Sequence, residues 1–277
     1  MKPVLPFLET MATQVCNLSC TGCTNYSDIK HTGYVTWEDM RQQLITWLAL
    51  VDIPDFGIMG GEPLINPEIS QWLTGTRELM PNSQIRFTTN GLLLDKYFSI
   101  VDQAYELGNI VFKITVHQNN LALEQIIKRI FKRYRWQPVT EFGINRWTAG
   151  DRVRLQISRP AQFLKTYQGK YSNMRPWNNN PVESFDACIQ QTCPLLYNGR
   201  IYKCSTQGLL RDQLKKFNNP NFELWEPYLN AGIAPNETDK ILEFIDNFGK
   251  PDTICQMCPT KKDQSSIINH LENVYKK

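Results

Sequence analysis

Three cysteines, Cys16, Cys20 and Cys23, stand at the spacing Cys-x3-Cys-x2-Cys directly after the apolar, strand-like run Leu5 to Val15. A loop this short gathers three thiolates over one face of a compact soft group and leaves a fourth corner open. By spacing alone the same residues also suit a zinc site short of one ligand, a disulfide with a spare thiol, or three buried cysteines acting as small hydrophobes.

Two further stretches narrow the choice. Phe56 to Pro63 reads as a buried strand ending in Gly60-Gly61-Glu62-Pro63, where two glycines let the backbone approach a ligand closely. Ile85 to Gly91 reads as a second strand ending in Thr88, Thr89, Asn90 and Gly91. In this order, each at a strand's C-terminal end, the three segments resemble the radical S-adenosylmethionine (SAM) superfamily. The resemblance implies a [4Fe-4S] cluster on Cys16, Cys20 and Cys23 whose open iron takes SAM. It further implies that Gly60, Gly61, Glu62 and Pro63 hold the SAM amino group, and that Thr88, Thr89 and Asn90 face its ribose and methionine portions. The chain departs from the family at Gly22, where many members carry an aromatic residue against the adenine; Tyr26 or backbone is then expected to serve instead.

Bulk properties exclude several classes. The chain has 277 residues, 42% hydrophobic and 21% charged, as in ordinary globular proteins. Its net charge of +3 is too small for the electrostatic footprint of a duplex binder, so nucleic acid is not an expected partner. Met1 to Pro6 lead into a strand without a cleavable apolar core, and the apolar run around Leu44 to Val51 is far short of the roughly 20 residues a spanning helix requires. A cytoplasmic location without a membrane partner is the expectation. In a reducing compartment the eight cysteines read as ligands rather than disulfides. Three histidines, His31, His117 and His270, make a histidine-rich metal site unexpected.

Along the chain, Thr36 is placed to cap a helix whose first turn carries Glu38 and Asp39, with Met40, Leu44, Trp47, Leu48 and Val51 on one face. A strand over 54–61 follows. Asn66 and Pro67 predict the N-cap and first position of a helix that buries Ile69, Trp72 and Leu73. The pattern continues with a strand over 84–89, a helix over 95–107 ended by Gly108, a strand over 110–116 and a helix over 121–135. The basic residues of that last helix read as a solvated face. Two strand-like pieces, 139–147 and 152–158, come next with no clear helix between them. Such alternation predicts an α/β fold with a parallel sheet and ligands at its C-terminal edge. The resemblance adds a partial (β/α)6 TIM-like barrel over residues 1–165.

Residues 166–187, rich in Asn, Pro, Gly and Ser, read as a linker or active-site loop. Its Tyr167, Tyr171 and Trp177 either line a substrate cavity or pack against the barrel mouth. At strand ends, His117, Glu141 and Arg159 are substrate-contact candidates, and Ser158 with Arg159 candidate contacts for the SAM carboxylate.

Five more cysteines, Cys188, Cys193, Cys204, Cys255 and Cys258, lie in residues 188–277. Asn198-Gly199 signals a two-residue hairpin turn whose register sets Tyr197 against Arg200 and Cys193 against Cys204. Cys255-x2-Cys258, after a helix over 239–248 ended by Gly249, supplies two more thiols; by spacing, the four could hold zinc or an iron-sulfur cluster. This region resembles the shortened SPASM region called a twitch domain. The resemblance implies one auxiliary [4Fe-4S] cluster on Cys188, Cys204, Cys255 and Cys258, leaving Cys193 as a spare thiol able to return a hydrogen atom to a substrate radical. The hairpin register alone argues instead for Cys193 as ligand and Cys188 as spare.

Together these readings predict an enzyme that cleaves SAM reductively and abstracts a substrate hydrogen. Oxidation or epimerisation of a small polar molecule, such as a sugar or aminocyclitol, is the first expectation, by analogy with compact twitch-type dehydrogenases of aminoglycoside biosynthesis. Peptide modification is the alternative; the barrel's early start leaves no room for an added peptide-recognition domain before it. A non-catalytic zinc or iron-sulfur module is the alternative outside enzymes. A flavodoxin- or ferredoxin-type electron donor is the implied partner.

Overall fold

The computed structural model describes residues 2–117, 120–138, 146–150, 152–160, 162–229, 232–269 and 274–276. Glu141, His270 and most of the strand expected over 139–147 lie outside them. From the N-terminus run β1 (Leu8–Met11), β2 (Leu18–Cys20), α1 (Trp37–Leu48), β3 (Asp55–Met59), α2 (Ile69–Leu79), β4 (Gln84–Thr89) and α3 (Ser99–Leu107). Then come β5 (Ile110–Thr115), α4 (Leu121–Arg133), β6 (Gln137–Pro138), β7 (Arg146–Ala149), β8 (Val153–Ser158) and β9 (Gln162–Leu164). The remainder holds α5 (Pro181–Ala187), β10 (Leu195–Tyr197), β11 (Arg200–Tyr202), α6 (Ser205–Gly208), α7 (Leu210–Lys216), α8 (Phe222–Trp225), α9 (Thr238–Asp246), β12 (Ile267–Asn269) and β13 (Val274–Lys276).

The main sheet has the order β11-β10-β1-β3-β4-β5-β8-β7-β6. β10, β1, β3, β4, β5 and β8 run parallel, each paired in register with the next, and hairpins add β11 at one edge and β7 and β6 at the other. This is the α/β architecture of a partial TIM-like barrel. The parallel strand next to β1 is β10, so residues 195–197 extend a sheet expected to end before residue 165. β7 pairs antiparallel with β8, which explains why no helix separates them.

Alternation along the strands divides core from lumen. Ile85, Phe87, Ile110, Phe112 and Ile114 turn to the helices and are buried, with Phe87 stacked on Phe112 at 5.3 Å between centroids. The intervening Thr88, Lys113 and Thr115 turn to the other face, where they line a cavity. Helices α1 and α2 pin the sheet through Trp47 and Trp72, each fully buried and worth about 2 to 3 kcal/mol of apolar burial. The Thr36 hydroxyl accepts from the Asp39 amide at 3.1 Å, capping α1 as expected. Asn66 does not cap α2, which starts at Ile69; its side chain accepts from the Glu68 amide and donates to Ala12 and Val35 carbonyls, fastening the loop beneath. α3 likewise starts at Ser99, four residues later than expected, and ends at Gly108 with φ 73°.

A second core, including Met11, Tyr26, Tyr167, Met174 and Trp225, lies under the C-terminal segments. Among the described residues no helix is long and apolar enough to cross a membrane.

Candidate active site

The cysteine loop leaves the end of β1 and is held against the end of β3 by backbone pairing: the Gly61 amide donates to Thr13 and the Glu62 amide to Val15, both at 2.8 Å. A Cβ on Gly60 would stand 2.5 Å from the Thr13 carbonyl oxygen, and one on Gly61 2.4 Å from that of Val15. The glycine pair is thus demanded first by the docking of the cysteine loop, although both residues also line the cavity. β2 carries Cys20 and pairs antiparallel with β13, Cys20 opposite Val274.

That cavity, about 310 Å³, opens at the C-terminal ends of the parallel strands. Cys16, Cys20 and Cys23 line it together with Gly60, Gly61 and Asn90. No disulfide joins any of the eight cysteines, against the reading of a disulfide with a spare thiol. Asn90 donates to the Asn17 side chain at 2.7 Å and toward the Cys16 sulfur at 3.8 Å, tying the end of β4 to the cysteine loop. Asn25 donates to the Gly60 carbonyl at 3.2 Å, and its own buried Oδ1 has no partner among the described residues. Thr88, Thr89, Ser158 and His117 also reach the lining; the His117 ring packs edge-on to Phe163.

Other expected contacts sit elsewhere. Glu62 is fully buried behind the lining, accepting from Thr89 Oγ1 and from the Asn90 and Leu64 amides. Burial pushes its carboxyl up to about 7 despite those three donors. Pro63 begins the short 3₁₀ turn that Glu62 caps. Tyr26 does not face this cavity: its ring packs near Tyr167, 5.9 Å away, in the second core, on the side of Cys204 and Cys258. Arg159 pairs with Glu124 of α4 at 2.6 Å, at the surface, because its side chain points away from the strand end that Ser158 faces. Tyr167, Tyr171 and Trp177 line no part of this cavity. Tyr171 stacks on Phe217 at 4.9 Å, and the Trp177 and Asn179 amides donate to the Met257 and Gln256 carbonyls, so the loop braces the cysteine pair beyond it.

Cys188, Cys204, Cys255 and Cys258 surround a second, smaller cavity with Phe185, Ile254 and Met257. Burial raises all four thiols. Cys193 is not among them. The β10–β11 ladder stops at Leu195 opposite Tyr202, and past it Cys193 turns into the first cavity while Cys204 starts α6. The register argument for Cys193 beside Cys204 fails because it extends the ladder beyond its end. Gln190 lines both cavities; its amide donates to the Cys188 sulfur at 3.2 Å and its side chain to Ser205 at 2.6 Å. Among the described residues no three His, Cys, Asp or Glu side chains converge on a single ion.

Two residues were not singled out by motif. Glu9 of β1 and Lys113 of β5 share the first cavity with Cys193, the expected spare thiol. Burial, only partly offset by Lys113 and Arg86, pushes Glu9 up to about 8; burial and then Glu9 push Cys193 up to about 12. The signal for Glu9 was present in the sequence as one carboxylate inside an apolar strand.

Residues 11–142 match the family described as the Radical SAM superfamily. That stretch, a little under half of the chain, is its radical SAM domain. The match starts at the last residue of β1 and spans the cysteine loop and β2 to β6. As a radical SAM protein it uses SAM bound at a [4Fe-4S] cluster, and three thiols on one cavity beside exposed glycine backbone fit that pair of groups. It is similar to GTP 3',8-cyclase of Microcystis aeruginosa, 29% identical over 141 residues, which cover 48% of this chain and 41% of that enzyme. The GTP 3',8-cyclase of Clostridium acetobutylicum is 33% identical over 92 residues, 32% of this chain and 29% of that enzyme. The matches thus span well under half the length of these relatives. The crystal structure of BtrN in complex with AdoMet and 2-DOIA superposes with a TM-score of 0.51 at 15% identity, covering 95% of this chain and 96% of that one. At that identity the likeness is one of fold.

Proposed function

We propose that this radical SAM enzyme removes a hydrogen atom from a small polar molecule held in the first cavity, with oxidation or epimerisation as the outcome. The observation that carries the reading is the shared cavity: three cysteine thiols, glycine backbone and a set of polar side chains from β1, β4, β5 and β8 face the same roughly 310 Å³. In this reading Cys16, Cys20 and Cys23 hold the cluster, and Gly60, Gly61, Thr88, Thr89, Asn90 and Ser158 contact SAM. Glu62 and Pro63 hold the backbone of that contact set from behind. When bound, the cluster and SAM supply one-electron reduction of the sulfonium and a 5'-deoxyadenosyl radical from it.

The chain's own residues then position the substrate and decide its fate. The sheet and its helices keep bulk water from the cavity floor, so the target C–H is held against one reacting atom. Cys193 lines the same cavity and burial keeps its sulfur protonated, which supports it as the hydrogen-atom donor that epimerisation requires; the thiyl radical left behind is returned to the thiol by one electron from the external donor and one proton from solvent. Oxidation instead requires that an electron and a proton leave the substrate. Cys188, Cys204, Cys255 and Cys258 suit an auxiliary [4Fe-4S] cluster as the electron's destination: four thiols line one cavity, one for each iron of a cube. Gln190 separates the two cavities by one side chain. Electrons reach the first cluster from an external flavodoxin- or ferredoxin-type donor.

Anaerobic reconstitution followed by iron analysis and 5'-deoxyadenosine measurement under dithionite tests the proposal. About eight irons, falling to about four with loss of 5'-deoxyadenosine in a Cys16/Cys20/Cys23 triple alanine variant, is expected. About four irons, all lost in the variant, removes the auxiliary cluster and with it the oxidative route.

A further inference from the structure

Glu9 and Lys113 approach the first cavity from opposite sides of its floor. β3 and β4 stand between β1 and β5 in the sheet, so the two side chains share a face without being neighbours. Each feels the other's charge, yet they form no ion pair with one another. The Glu9 side chain is buried, the residue being 7% exposed, and its Oε1 has no hydrogen-bond partner among the described residues. A bare buried carboxyl oxygen is costly and is relieved by a ligand that donates to it.

Its stem is packed tightly while the side chain still reaches the cavity lining. Gly57 of β3 stands in register with Glu9, and a Cβ there would lie 2.9 Å from the Glu9 Cβ and 3.0 Å from the Phe7 ring, so glycine is what lets β1 and β3 carry Glu9 at this place. Of the other charged groups facing the pair, Arg86 is committed to Asp55 through two hydrogen-bonding nitrogens, Arg146 lies on the Lys113 side, and Cys193 is a thiol. Arg86 and Arg146 do not reach the cavity, so among the described lining residues the Asp, Glu, Lys and Arg side chains that face it are one carboxyl and one ammonium, those of Glu9 and Lys113. Thr115 and Ser158 add hydroxyls above Lys113.

We propose that Glu9 and Lys113 are the two ends of a substrate-anchoring subsite, Glu9 receiving an amine and Lys113 an oxygen acceptor of a small amine-bearing polyhydroxylated molecule. This deepens the function proposed above and rests on it. A charged amine satisfies the bare oxygen and returns the buried carboxyl to its ionised form, which a neutral hydroxyl does less well. The hydroxyl lining suits the remaining ring or chain oxygens. Bound this way, the molecule lies beside Cys193 and below the cysteine loop.

Cys193 serves as the reporter. The reconstituted holoenzyme is treated with cationic 2-aminoethyl, neutral methyl and anionic 2-sulfonatoethyl methanethiosulfonate, and modification of Cys193 is timed by peptide mass mapping. Ratios to the neutral reagent cancel the thiol's own reactivity. At pH 8.5, where the Glu9 carboxyl is ionised, Glu9→Gln is expected to lower the cation-to-neutral ratio about fivefold or more, and Lys113→Met the anion-to-neutral ratio similarly. D-glucosamine, but not N-acetyl-D-glucosamine, is expected to slow labelling of the wild type, and Glu9→Gln to erase that difference. Unchanged ratios in either variant, failure of all three reagents to reach Cys193, or equal or absent protection by the two sugars overturns the proposal. Iron content and 5'-deoxyadenosine formation, measured on the same preparations, report separately on the radical SAM reading: their loss sinks that reading, whereas unchanged ratios with both intact sink the subsite alone.

Discussion

Glu62 accepts a hydrogen bond from the Thr89 hydroxyl at 2.7 Å, joining the loop after β3 to the end of β4 beneath the candidate SAM contacts. The second carboxyl oxygen accepts the Asn90 amide at 2.8 Å. Glu62→Gln keeps the shape but turns one acceptor into a donor facing another donor. We expect a loss of about 1 to 3 kcal/mol in urea unfolding together with weaker SAM binding by equilibrium dialysis. Unchanged values in both would mean that Glu62 merely fills space.

Gly61→Ala tests the docking of the cysteine loop. The added methyl would meet backbone, not a flexible side chain, 2.4 Å from Val15 O. Either β3 or the loop must shift. A destabilisation of about 1 to 3 kcal/mol or more, with iron retention falling after desalting, is the expected result. Gly199→Ala, where nothing stands within 4 Å of the new methyl, is the comparison: its strain comes only from φ 75° in the hairpin turn, and its iron content should match the wild type.

The two cysteine sets make opposite predictions for single serine variants. Cys204→Ser removes a lining thiol of the second cavity, and about four of the eight irons should go with it. Cys193→Ser should keep them all, because its sulfur faces the first cavity. Iron and acid-labile sulfide assays on the two variants decide; equal losses would return Cys193 to the ligand set.

The residues that were legible in the sequence share one property: their signals are local. Spacing placed the cysteine loop, Gly60-Gly61 and Thr88 to Asn90 at strand ends, and capping placed the start of α1 at Thr36. What was hidden is long-range. Nothing near Leu195 announces that it pairs with Glu9, nearly two hundred residues earlier, so the strand next to β1 was assigned to another region. Leu5 to Val15 reads as uniformly apolar, which masks the two-residue alternation that turns Glu9 inward. Hairpin register is a reliable guide only while the ladder lasts, and it ends two residues before Cys193. Arg159 and Tyr26 were placed correctly along the chain, but the direction of a side chain at a strand end or in a loop depends on partners, Glu124 and Tyr167, that the sequence does not identify.

Glu9 should leave a mark on the pH dependence of stability. Its carboxyl rises from 4.5 to about 8 in the folded chain, chiefly through burial. The unfolded state therefore ionises first: Glu9's contribution is complete below about pH 4.5 and is lost as pH rises through about 8. Glu9→Gln, which has no charge to bury, should gain on the wild type across that window by about 3 kcal/mol, to order of magnitude. Chemical denaturation at pH 5 and pH 8.5 measures it, and a constant difference between the two proteins would show that Glu9 is not buried as a carboxyl.

Lys216 links the two halves of the site mechanically. From α7 its ammonium donates to the Tyr26 and Ile29 carbonyls at 3.1 and 2.9 Å, lies 2.8 Å from the His31 ring nitrogen, and stands 3.7 Å from Asp28, with its side chain 9% exposed. All four partners belong to the loop directly after Cys23, whereas α7 packs in the second core beside the Cys255–Cys258 turn. Lys216→Met preserves the apolar stem and strips the head. Two carbonyls and a buried carboxylate then lose their cation, a change of about 3 to 5 kcal/mol when one partner of a buried pair is removed. Because the loss falls on the segment that carries Cys23, the three-cysteine cluster should become labile first. Iron release on dilution should therefore precede global unfolding in this variant, and simultaneous loss of iron and fold would mean that Lys216 stabilises the chain as a whole rather than the cysteine loop.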